Sequence, residues 1–181
     1  MEERERRELD ELAWGCLREG RVQQALQAWA TLNAELRRCG RYEHARGVAQ
    51  TMICVSESTG RQPELVALYA MAETLRESGA LSEAAEWVRK AERAHEQLGD
   101  ARRIACDWAA LGEIWEDLGE YSRAVDAWSR AAMLFDAESE SGALHDLMVD
   151  LSRAYALLGE GVLSEVCAAR AERLSVRWAS A

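Results

Sequence analysis

Apolar residues along this chain recur at helical spacing, most regularly between residues 105 and 136. Trp108, Leu111, Gly112 and Trp115 lie at i, i+3, i+4 and i+7, and after a turn at Gly119 the pattern resumes with Tyr121, Ala124, Val125, Trp128 and Phe135. The pattern predicts a helical hairpin with two apolar faces turned inward. Gly112 and Ala124 fall where two packed helices cross; small side chains there let the backbones approach while the indoles of Trp115 and Trp128 fill the flanking space. Gly119 directly follows the first periodic run, a place that favours a residue free to adopt the left-handed conformation.

The same punctuation extends along the chain, with glycines at 20, 40, 60, 79, 99, 119 and 159 and the polar stretch 138–142 in place of one expected member. The intervals predict nine helices, near 3–18, 22–38, 42–58, 63–78, 82–98, 101–118, 121–136, 143–158 and 162–178. Gly40-x-Tyr42-x2-Ala45, Gly79-x-Leu81-x2-Ala84 and Gly119-x-Tyr121-x2-Ala124 are versions of one turn. They set a phase of four hairpins, at about 22–58, 63–98, 101–136 and 143–178, within one domain spanning 21–181. The fourth is degenerate, with a longer Gly159-Glu160-Gly161 turn and Ser164 in place of alanine. Residues 1–20 are then an amino-terminal capping helix, whose Glu2, Glu3, Glu5 and Glu8 suit the positive end of a helix dipole and whose Leu9, Leu12 and Cys16 form one apolar stripe. Val22, Ala25 and Trp29 also fit the repeat turn, so pairing helix one with helix two is the alternative phase. Pro63 suits a first helical turn, and Asp100 suits a helix cap.

The string Trp108-x2-Leu111-Gly112-x2-Trp115, then Gly119-x-Tyr121-x2-Ala124-x3-Trp128-x2-Ala131, resembles the tetratricopeptide repeat (TPR) signature. It departs in having Asp136 where that signature has proline, and in a period of about 40 residues rather than 34. The longer period resembles the variety found in kinesin light chains, spindle-orientation adaptors and the sensor regions of bacterial regulators. The resemblance implies an all-α, right-handed superhelical solenoid of about nine antiparallel helices. It also implies a non-enzymatic interaction scaffold in which the first helix of each hairpin lines a concave groove. In that phase the groove positions are Ala30, Ala34, Arg37 and Arg38; Val66, Tyr69, Glu73 and Arg76; Cys106, Ala109, Glu113 and Glu116; and Asp146, Val149 and Arg153. The Lys, Asn and Arg clamp of chaperone-binding relatives is missing from these positions. Of the seven tryptophans, Trp29, Trp108, Trp115 and Trp128 fall on core positions. Trp14, Trp87 and Trp178 lie off that phase, as candidate partner anchors.

Charge narrows the partner. The net charge of −10 disfavours nucleic acid, which needs a basic stripe, and fits a neutral or basic protein or peptide. Residues 107–150 hold eleven Asp or Glu against Arg123 and Arg130, whereas 21–46 hold five Arg against Glu35 and Glu43, so an extended ligand would be oriented along the groove. The five cysteines (Cys16, Cys39, Cys54, Cys106, Cys167) are an odd set without close pairing and read as reduced thiols. The charged Met-Glu-Glu-Arg start and the lack of a long apolar run lead to the expectation of a cytoplasmic protein without membrane insertion. His44, His95 and His145 lie far apart in sequence, and Cys39-x4-His44 straddles a turn, so no metal, cofactor or catalytic group is expected. Two other functions fit the same pattern. One is a ligand- or peptide-sensing regulatory domain of a bacterial regulator; the other is a module that self-assembles through its outer repeats.

Overall fold

The computed structural model describes residues 3–59, 65–137 and 141–179. Within them lie nine helices and no strand: α1 Glu3–Arg18, α2 Val22–Arg38, α3 Tyr42–Ser58, α4 Leu65–Glu77, α5 Leu81–Leu98, α6 Ala101–Asp117, α7 Tyr121–Ala137, α8 Ser141–Leu157 and α9 Gly161–Ala179. The predicted helices are all present. α8 starts two residues before the predicted 143, because Ser141 and Gly142 join its first turn. Gly60 and Pro63 lie outside the described residues.

Several helix stops share one local cause. At Gly119 the backbone turns to φ 75°, and the Glu120 N–H reaches back to the Trp115 carbonyl at 2.8 Å while Gly119 N–H bonds Glu116. This pair of bonds satisfies carbonyls that the helix end would otherwise leave open. The same long backward bond recurs from Arg41 to Leu36, Ala80 to Leu75 and Glu160 to Tyr155. Asp100 caps α6 as expected, its carboxylate accepting from the Arg103 N–H at 3.0 Å.

The chain divides into two compact units, Met1–Ala91 and Glu92–Ala181. In the first, α1 packs on α2, α2 on α3 and α3 on α4, and α2 also meets α4. Its core is built from Ala25, Leu26, Trp29, Leu32, Ala49, Met52, Leu68, Met71 and Leu75. Trp29 Nε1 donates to Asp10 at 2.9 Å, fastening α2 to α1. In the second unit, α6 packs on α7, α7 on α8 and α8 on α9. Trp128, Phe135, Leu147, Met148 and Leu151 form its centre.

The α6/α7 crossing is tighter than its sequence pattern implied. A Cβ on Gly112 would sit 2.2 Å from Trp128 Nε1, so the indole lies directly on the glycine backbone rather than beside it. Trp128 Nε1 donates to the Ala109 carbonyl at 3.2 Å, and Ala124 is fully buried. Two of the four tryptophans assigned to the core are only half-buried. Trp108 and Trp115 each keep one ring face toward a guanidinium, Arg130 over Trp108 at 4.6 Å and Arg123 over Trp115 at 4.9 Å. With the crossing filled by Trp128 alone, these two rings are left at the hairpin's margin, where an arginine covers them.

Candidate functional site

The fifteen predicted groove residues fall on four helices: α2 and α4 in the first unit, α6 and α8 in the second. None of them is buried. Two ion pairs join predicted residues across helices, Arg37 with Glu73 and Arg153 with Glu116, so several of the charged ones are engaged by neighbours rather than turned to a ligand.

On the α2/α4 face, Arg37 is the centre. Its side chain is only 13% exposed and pairs with both Glu73 and Glu77 of α4, while its Nε donates to Asn33 Oδ1 at 3.2 Å. Asn33 is itself buried and donates from Nδ2 to the Ala45 carbonyl of α3 at 2.8 Å and to Thr74 Oγ1 of α4 at 2.9 Å. Thr74 Oγ1 donates in turn to the Ala70 carbonyl at 2.6 Å. One amide thus links three helices and orients the arginine above it, with every polar group in the chain engaged. Arg38 is held by Glu35 through two bonds of 3.0 and 2.7 Å; the bond from Arg38 lowers the Glu35 pKa and raises that of Arg38. The predicted basic end is therefore largely neutralised in place. Between these pairs Ala30, Ala34, Val66 and Tyr69 leave an apolar strip at least partly open to solvent.

The α6/α8 face has a similar brace. Arg153 of α8 makes a bidentate contact with Glu116 of α6, at 2.8 and 2.9 Å, and a further bond to Asp150 at 2.9 Å. The hydrogen bond that Arg153 donates to Glu116 is the main cause that pushes the Arg153 pKa up. Burial holds the Asp150 carboxyl above the usual carboxylate range despite the pull of Arg153. Glu113 and Asp146 are exposed, Ala109 is half-covered, and Val149 is 44% exposed. The helices α6 and α8 thus each offer an apolar side chain, Ala109 and Val149, and an exposed acid, Glu113 and Asp146. Asp146 also accepts from His145 at 2.9 Å.

Two buried polar contacts were not anticipated. Asn33 with Thr74 is one; the other joins His95 Nδ1 of α5 to Asp107 of α6 at 2.6 Å, with both side chains buried. The signal for each was present, since Asn33, His95 and Asp107 stand on the apolar phase of their helices. The remaining candidates are less changed. Trp14 is partly exposed and packs edge-on against Trp29 at 5.0 Å, and Trp87 lies under Lys90 at 3.4 Å. The Trp178 side chain lies outside the described residues. All five cysteines are free, and desolvation pushes the Cys106 and Cys167 thiols up, away from the reactive thiolate. Among the described residues no three His, Cys, Asp or Glu are grouped to hold a metal ion, and no helix is long and apolar enough to cross a membrane.

No protein-family model matches the sequence, and no curated protein matches it. Solved structures do. TPR-like repeats assigned to a kinesin light chain of Podosopora anserina align over 100% of both chains, with a TM-score of 0.68 at 16% identity. The TPR sensor protein of the STAND ATPase class from Pyrococcus horikoshii gives a TM-score of 0.73 at 13% identity, over 93% of this chain and 29% of that one. A Rap protein complexed with competence and sporulation factor gives 0.65 at 14% identity, over 94% of this chain and 54% of that one. The fold is that of the TPR-type helical repeats.

Proposed function

We propose that this chain is a non-enzymatic interaction scaffold that binds partner-protein segments on two faces, each within its own unit: α2 with α4 in the first and α6 with α8 in the second. The observation that carries this reading is the composition of those faces. Each is braced by an arginine bound across two helices, which fixes the helix spacing, and each leaves apolar side chains open between the braces. Rigid spacing with exposed apolar contacts suits a binding surface, because little ordering remains to be done when the partner arrives.

Asp146 stands one turn from Val149 on α8 and Glu113 is exposed on α6, so the segment that fits the second unit has an apolar anchor with basic residues beside it. Charge at such a rim mostly sets the association rate, and the buried apolar contact sets residence. A cytoplasmic location accords with this reading. A second reading, in which the bound segment is a signalling peptide and the chain a sensor, draws support from the Rap complex and the TPR sensor among the similar structures.

The test is affinity capture of a partner from the source organism, followed by hydrogen exchange of the purified complex. Slowed exchange confined to α2, α4, α6 and α8 is expected. Slowing on α3, α7 or α9 with those four helices unchanged would overturn the assignment.

A further inference from the structure

We propose that Met133, Met148 and Cys167, which wall one cavity in the second unit, bind a single copper(I) ion through their three sulfurs. The donors stand on three consecutive helices. Met133 and Asp136 share a face of α7, Met148 and Tyr155 a face of α8, and Cys167 and Arg170 a face of α9, at helical spacings of three, seven and three residues. The three faces enclose about 240 Å³. Met148 is only 4% exposed and Met133 is 74% exposed, so the cavity runs from the core of the unit to water and has an entry path.

The donor set names the occupant. Sulfur is carried by five Met and five Cys among 181 residues, yet by three of the ten residues that wall this cavity. Soft thioether and thiolate ligands select copper(I). Zinc takes about four ligands from thiolate, imidazole and carboxylate. The cavity offers it one thiol, no histidine and one carboxylate, that of Asp136, which Arg170 already holds at 2.9 Å. Size argues for an ion as well, because small organic ligands occupy about 300–1,000 Å³. Methionine is unbranched with three rotatable bonds, so two thioethers on the wall of a small cavity can turn in toward one ion while the helices stay in place. The expectation of no metal rests on histidine and carboxylate spacing, which does not register thioethers.

Charge is consistent with a monovalent cation. The Arg170 guanidinium, which would repel it, is balanced by Asp136. Burial disfavours a free Cys167 thiolate, and a bound metal supplies the compensating positive charge. As the copper–sulfur bond forms, the thiol proton leaves to water, and copper stays in the +1 state throughout.

Copper(I) alone is the probe, added under reductant and in competition with a coloured copper(I) chelator. The full chain is used with the exposed Cys39, Cys54 and Cys106 replaced by Ser, which removes other accessible thiols. One copper per chain should be retained, and X-ray absorption should show sulfur alone around it. Cys167→Ala should lose the copper, and Met133→Leu and Met148→Leu, which nearly conserve volume, should each weaken it about tenfold or more. Met133 faces water, so Met133→Leu should leave the metal-free thermal melt unchanged and thereby separate a lost ligand from a lost fold. A parent that retains no copper overturns the proposal. So does undiminished retention by Cys167→Ala or by the double variant Met133→Leu with Met148→Leu, or zinc(II) held more tightly than copper(I).

Discussion

Two glycines in helices separate packing from propensity. Gly112 lies against the Trp128 indole, so Gly112→Ala must displace a buried ring and should cost about 1–3 kcal/mol. Gly47 in α3 has no heavy atom near its missing Cβ, so Gly47→Ala should gain up to about 1 kcal/mol from helix propensity alone. Urea denaturation of the two variants checks the opposite signs. Asp150 gives a pH-dependent test at the same scale. Its carboxyl is raised above its unfolded value by desolvation, so its contribution to stability is largest below the unfolded pKa and is lost as pH rises through the folded one. Asp150→Asn should therefore raise the melting temperature at pH 7 and leave it unchanged near pH 3. A variant less stable at pH 7 than at pH 3, relative to the parent, would contradict the sign.

The two arginine braces differ in burial, and so should their removal. Arg153 is about half exposed, and replacing it with Met should cost less than about 1 kcal/mol. Arg37 is largely covered and supports Asn33, so Arg37→Met should cost about 1–3 kcal/mol, measured by the same denaturation. The contrast also marks what the sequence could convey. Helix limits were readable because their causes are local: the chain turns at Gly119 through bonds to residues three and five positions back. The engagement of Arg37 was not, since its partner Glu77 lies 40 residues away and Thr74 stands 41 from Asn33. Periodicity put Arg37 in line with Ala30 and Ala34 on α2 and gave no sign that α4 would claim its charge. Trp108 and Trp115 were assigned to the core for the same reason, because spacing fixes a direction and not the depth of what covers it.

At the scale of the whole molecule, acidity and binding have to be told apart. An acidic chain attracts any basic partner, and reversing any carboxylate weakens that attraction through the net charge alone. If the α6/α8 face is the site, Glu113→Lys with Asp146→Lys should slow association and flatten its salt dependence. Glu86→Lys with Glu96→Lys changes the net charge equally at exposed positions of α5, off that face, and should do so much less, as surface plasmon resonance over a salt series would register. Glu116 is unsuitable for such a reversal because Arg153 already holds it. The apolar part of the site offers the most direct measurement. Val149 is exposed on α8, so Val149→Arg should leave the fold intact and remove the central contact. Three baits, the parent, Val149→Arg and the outward control Asp126→Arg, are compared by quantitative affinity capture from the source organism. The account predicts a partner enriched by the parent and by Asp126→Arg and lost from Val149→Arg; equal recovery of that partner on Val149→Arg would contradict it.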